Sequence, residues 1–282
     1  MAGLQDGSHN LSLDGSFLKD LPLPIKRYTY CGKRQFFDIL ESESARFQAS
    51  TDSSEFLLFH ASNETIENIF DPENEDTSIA KFVTSFDTNE QLFLVTLPST
   101  PHSAAAYEMD TAICQALAPM GLSYALQGYA GATIRGVDGA KQADCGWGSK
   151  RRIPGRPSSP SSPAITLEVA YSETDSKLNS DLRFWLSPER GDVNLCFTLR
   201  MHRSYPEIRI EKWERQNDRI HRAQVTWITI RNDRVNVTHH PLTIPFESLF
   251  RRQSSRPGER DLQISQQQLE ELAESIWQEQ GW

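Results

Sequence analysis

One stretch constrains this chain more than any other. Residues Lys141 to Trp185 read KQADCGW, then a Pro/Ser/Arg-rich segment, then PAITLEVAYSE and TDSKLNSDLRFWL. Between Ala164 and Tyr171 the residues alternate with the period of a strand. Ile165, Leu167, Val169 and Tyr171 fall on one face, and Thr166, Glu168 and Ala170 on the other. Glu168 is the one charge in that run, and a carboxylate inside an apolar strand is costly to bury without a partner. Asp144 sits in an earlier short extended segment. Two acids on neighbouring strands can share a divalent cation, because hard ions such as Mg²⁺ take oxygen ligands. The alternative is that each carboxylate is satisfied by a neighbouring base and holds no metal.

At 282 residues the chain can build one large domain or two small ones around a substantial core. A composition of 38% hydrophobic and 24% charged residues fits a soluble globular protein. The net charge of −9 is unevenly placed: residues 1–90 hold 16 acids against 7 Lys and Arg, and the remainder holds 22 of each. The acidic third repels nucleic acid and is a candidate surface for a protein partner; the rest is free to meet DNA or RNA. Cys31, Cys114, Cys145 and Cys196 form no CxxC pair, and His202, His221, His239 and His240 have irregular spacing. No stretch approaches the ~18 apolar residues of a membrane span, and no signal peptide follows the first residue. The expectation is an intracellular protein, cytoplasmic or nuclear, with reduced thiols and no membrane association.

Along the chain, residues 1–20 read as a flexible tail and residues 21–90 as an acidic extension packed on the core. RYTYCGKRQFFDIL predicts a strand or turn and a short helix, EFLLFHAS a strand, and residues 61–79 mostly loop. The core, residues 91–282, opens with a strand over 91–97 and a helix over 102–119, ended by Pro119 and Gly121. A strand over 122–129, the Asp144 segment and the Glu168 strand follow. A helix begins near Ser172 or Thr174, with Leu178, Leu182, Trp185 and Leu186 on its apolar face. Lys177 and Asp181 share another side, where Asp181 is a surface acid or an ion-pair partner of Lys177. Strands are expected at 193–201, 206–213 and 223–238, the last with Asn232-Asp233 as a hairpin turn. The chain ends in a helix over 265–279 with a Ser265/Gln268 capping box.

This gives an α/β (α+β) fold: a mixed central sheet with αβββαβ order, extra C-terminal strands and a C-terminal helix. The order, with Asp144 and Glu168 on its second and third strands, resembles the PD-(D/E)XK, or restriction-endonuclease-like, nuclease superfamily. KQADCGW, PAITLEVAYSE and KLNSDLRFWL are similar to a family of fungal proteins and to bacterial restriction-type endonucleases. The resemblance covers about residues 90–215. It implies a phosphodiester hydrolase acting on nucleic acid, with Mg²⁺, or Mn²⁺ in its place, held by Asp144 and Glu168 and by Glu108, or else Asp110, from the first helix. The alternative is a nuclease fold that has lost catalysis and serves as a nucleic-acid or protein-binding module.

The motif lysine belongs two residues after Glu168, where this chain has Ala170. Lys177 on the next helix and Lys141 before Asp144 are the two available replacements, and neither serving is the third possibility. Lys150, Arg151, Arg152 and Arg156 lie in the segment between the acid-bearing strands, a basic loop able to meet a phosphodiester backbone or a plain surface insertion. Trp147, Trp185, Trp213 and Trp227 read as packing residues.

Overall fold

A computed structural model of the chain describes residues 10–12, 18, 21, 25–50, 53–71, 73–74, 76–150, 162–171 and 175–282. The elements in order are β1 (Asn10–Ser12), β2 (Lys26–Thr29), α1 (Lys33–Ala49), β3 (Phe56–His60), α2 (Asn63–Ile69), β4 (Val83–Asp87) and β5 (Leu92–Thr96). Then come α3 (Thr100–Leu117), β6 (Leu126–Gly128), β7 (Thr133–Arg135), β8 (Gly139–Gln142), β9 (Cys145–Ser149) and β10 (Ile165–Ala170). The last part holds α4 (Asp175–Trp185), β11 (Leu195–Met201), β12 (Glu207–Gln216), β13 (Arg219–Arg231) and β14 (Arg234–Val237). It closes with β15 (Leu242–Ile244), α5 (Phe246–Phe250), β16 (Leu262–Ile264) and α6 (Gln266–Gln280).

Two sheets carry the fold. The larger runs β1-β13-β12-β11-β10-β9-β6, with β14 also on β13; the smaller runs β2-β3-β5-β4-β8-β7. In the larger sheet β10 is parallel to β11 and antiparallel to β9, and β9 is antiparallel to β6. The helix α3, strands β6, β9 and β10, helix α4 and strand β11 therefore supply the αβββαβ order in one mixed sheet.

The layers follow from which residues are apolar. Ile165, Leu167 and Val169 face Met109 and Ile113 of α3 and Leu269, Leu272 and Ile276 of α6. On the opposite side, Leu182 and Trp185 of α4 lie among Cys196 and Trp213 of the larger sheet and Phe56, Leu58 and Leu94 of the smaller. The smaller sheet turns Leu57, Phe59, Phe93 and Val95 to Phe36 and Leu40 of α1 and Ile66 of α2. Thus α4 lies between two sheets. Its burial extends beyond one apolar stripe to Lys177, Ser180 and Asp181. Gly139 brings β8 against β4: a Cβ there would lie 2.1 Å from the Phe86 carbonyl oxygen, so only glycine fits.

Several elements differ from the sequence reading. Residues 61–79 contain α2, capped by Ser62, whose oxygen accepts from the Thr65 N–H. The short apolar set Ile66 and Ile69 hides its period among acids. Helix α1 is present as expected but spans 17 residues rather than a short stretch. The strand expected over 122–129 is only Leu126–Gly128, preceded by a 3-10 turn at Ser123–Ala125. Within the segment read as a tail, β1 pairs with β13 and Leu18 is buried. The caps proposed at Ser172 and Thr174 lie outside the described residues. Two hairpin turns, Asn217-Asp218 and Asn232-Asp233, place both central residues at positive φ, as a two-residue hairpin with the sheet's twist requires. The C-terminal helix has its capping box at Ser265 and Gln268.

Candidate acid centre

The centre forms where β9 stops pairing with β10. The register between them covers Ile165 to Leu167 only, whereas β11 follows β10 along its whole length. Beyond Leu167 the β9 side of the strand would be left without partners. Asp144, at the bend just before β9, fills that gap: its Oδ2 accepts from the Val169 N–H at 2.7 Å. The bend is also where the chain leaves the smaller sheet at β8 and enters the larger at β9.

Lys141 comes from β8, Glu168 from β10, and Lys177 and Asp181 from α4. The Lys141 ammonium lies 3.0 Å from Glu168 Oε2 and 2.8 Å from Asp181 Oδ1. Those three side chains are 2%, 4% and 2% exposed. Lys177 pairs with the other Asp181 oxygen, and its amine lies 4.7 Å from the centre of the Phe56 ring. The Trp185 indole N–H donates to Glu168 Oε1. Lys141 thus ties the smaller sheet to the larger sheet and to the helix between them. The surface reading of Asp181 is corrected: α4 has no solvent side there, and its ion pair with Lys177 is buried.

A second set adjoins the first. His102, in the first turn of α3, places Nε2 3.1 Å from Asp144 Oδ1 and Nδ1 3.4 Å from Glu55 Oε2. Glu55, just before β3, accepts from the Tyr171 N–H at 2.9 Å. His102 and Glu55 were not singled out in the sequence. Glu55 had a signal, a carboxylate fused to the apolar run FLLF. His102 had none, since its partners lie 47 residues before and 42 after it.

Charge and burial compete throughout. Burial pushes the Asp144 carboxyl up, but His102, Lys141 and the Val169 N–H together outweigh it and hold the group near 2. Burial dominates at Glu168, with Asp181 and Asp144 adding to it against Lys141 and Lys177, and carries that carboxyl up to about 8. Burial alone would lower Lys141, but Asp181, Glu168 and Asp144 raise it. Burial likewise works against a charged His102, yet Asp144 and Glu55 lift it well above its ordinary value.

The remaining sequence candidates are dispersed. Glu108 lines a groove of about 650 Å³ between α3 and α6, with Ser103, Tyr107, Gln278 and Glu279, rather than the acid centre. Asp110 accepts from the Trp147 indole N–H at 2.6 Å. Lys150 is exposed at the end of β9, and Arg151, Arg152 and Arg156 lie outside the described residues. Ala170 is buried, and its register neighbour on β11 is Arg200. Trp147, Trp185 and Trp213 are buried packing residues.

A Mg²⁺ ion needs carboxylate oxygens free to face it. Here Glu168 is taken by Trp185 and Lys141, Asp181 by the two lysines, and Asp144 by Val169 and His102. Among the described residues no three His, Cys, Asp or Glu side chains are arranged to hold a metal. In this arrangement the residues do not fit the ion.

No family model and no curated protein matches the chain. Among solved structures it is similar to a chain from Anabaena variabilis described as "a putative nuclease belonging to DUF820". That likeness has a TM-score of 0.39 and 13% identity, over 67% of this chain and 90% of the other. Among the described residues no helix is long and apolar enough to cross a membrane.

Proposed function

We propose that this protein is a nuclease-like fold that binds nucleic acid and does not hydrolyse it. The observation that carries this reading is the Lys141 ammonium seated between Glu168 and Asp181, at 3.0 and 2.8 Å, deep in the interior. The acid pair is spent on holding two sheets and a helix together. The lysine missing at Ala170 is replaced in charge by Lys141, but as an ion-pair partner rather than as a group facing substrate.

A second reading, metal-assisted phosphodiester hydrolysis, draws on a specific feature. Asp144 and Glu168 are neighbouring carboxyls pushed in opposite directions, to about 2 and about 8, as an acid and base pair would be. Asp144 also keeps 18% of its side chain exposed.

One experiment separates the two. Labelled single-stranded and duplex DNA and RNA are incubated with the protein and Mg²⁺ or Mn²⁺, and binding and cleavage are read in parallel. The proposal expects retention of intact nucleic acid. Cleavage abolished by Glu168→Ala would establish the second reading in its place.

A further inference from the structure

The face of the larger sheet that carries Glu168 continues past α4 onto β12, β13 and β14. Register places Ala170 beside Arg200, Arg200 beside Arg209, and Arg209 beside Trp227. Two and four residues further along β13 come Thr229, opposite Asn236, and Arg231, opposite Arg234. Strand alternation puts all of these on one face. Their intervening neighbours confirm the parity, since Leu199, Ile208, Ile210, Ile228 and Val237 belong to the core beneath α3 and α6.

This face is open where the centre is closed. Arg200 and Arg209 are 33% and 19% exposed, and Arg231 and Arg234 are exposed at the hairpin end. Arg209 is set over the Trp227 ring, 5.4 Å from its centre. Arg200 and Arg209 already grip one anionic oxygen together, at 2.5 and 3.0 Å; it belongs to Asp175, whose side chain is 66% exposed. Arg231 and Arg234 have no ion-pair partner among the described residues. Glu207, opposite Thr229, lies within the row, Asp233 borders it, and Arg209 also stands 3.6 Å from Glu211 Oε1, so these acids offset part of its charge.

We infer that this row, Arg200, Arg209, Arg231 and Arg234 with Thr229 and Asn236, is the surface that takes the phosphodiester backbone of a nucleic-acid strand. The inference rests on the nucleic-acid reading above and says where that binding occurs. Guanidinium forks match phosphate oxygens in pairs, and hydroxyl and amide donors between them serve phosphates as well. A protein partner would call for buried aromatic or aliphatic anchors. Trp227, the large apolar side chain of the row, is instead covered by Arg209. Phosphates would displace the exposed Asp175 carboxylate from the Arg200–Arg209 pair. With a chain charge of −9, binding is expected to be modest and steeply salt-dependent.

The test is fluorescence anisotropy of a labelled oligothymidylate over a series of salt concentrations, for wild type and for Arg231→Ala/Arg234→Ala. Both residues are exposed at a hairpin end, so the variant keeps its fold, checked by circular dichroism. Each phosphate contact contributes about 0.7 to the slope of log affinity against log salt on a single strand, so the double variant should lose about 1.4 of that slope and bind more weakly. Arg209→Ala should weaken binding in the same direction. Wild-type binding with an unchanged slope in the double variant would overturn the row while leaving nucleic-acid binding in place. No binding by the wild type would overturn both. Equal binding of polyglutamate, indifferent to these arginines, would also overturn the assignment.

Discussion

The two faces of β10 are buried to the same depth and built from opposite chemistry. Ile165, Leu167 and Val169 meet the apolar side chains of α3 and α6. Thr166, Glu168 and Ala170 are equally hidden, yet Glu168 sits in an ion-paired group drawn from β8 and α4. An apolar face tolerates approximate partners, because its attraction is non-directional and scales with area. The charged face needs each partner at hydrogen-bond distance, because an unpaired buried charge costs several kcal/mol. A strand can therefore be equally buried on both sides and robust on one only.

That contrast is broken most sharply by removing one member of the charged face. Lys141→Met leaves Asp181 with Lys177 alone and Glu168 without a direct cation, and should cost about 3–5 kcal/mol above about pH 8, where Glu168 is charged, measured by urea denaturation. A loss no larger than that of an exposed lysine would show that the group contributes little. Leu167→Ala on the other face should cost about 2–5 kcal/mol through its cavity and lost transfer energy, with the fold retained.

The next effect is smaller and depends on pH. Asp144 is held near 2 against an ordinary 3.8, so its stabilisation is present above that ordinary value and is lost as pH falls through 2. It amounts to about 2 kcal/mol. His102 is shifted up from 6.5, so its contribution is complete below that value and is lost as pH rises through its higher folded pKa. Wild type should therefore exceed His102→Gln most between these limits, and the two stability curves should converge at both ends. A constant difference across pH would mean that the ionic contact between His102 and Asp144 is not what stabilises.

The smallest net change should come from replacing the whole charged set. Lys141→Met, Glu168→Leu, Lys177→Met and Asp181→Leu together leave no charge unpaired. Buried ion networks exchanged for apolar side chains are typically neutral or stabilised by about 1–4 kcal/mol. Stability at or above wild type would sharpen the comparison, assigning the group to specificity of packing rather than to net stability. A large loss would show that the ions contribute directly.

What the sequence made legible follows the same division. The alternation of β10, the apolar set of α3 and the capping box of α6 are local patterns, and the αβββαβ order is read from them. Glu168 stood out for the same reason, as a charge where the pattern wanted none. Its partners did not. Lys141 and Asp181 reach it because β8 lies in the other sheet and α4 lies between the two sheets, and neither fact is encoded within a strand's length. The same burial turned Asp181 from an apparent surface residue into an interior one. His102 and Glu55 depend on longer connections still, and Glu108, placed on the right helix, points to the α3–α6 groove.

The central claim is that the acid centre is closed by its own cations. Electron paramagnetic resonance of Mn²⁺ mixed with the protein tests it directly, because only the free ion gives the sharp aqueous signal. Wild-type protein should leave that signal undiminished. A signal removed by wild type and restored by Glu168→Gln would contradict it and place a metal where Lys141 now sits.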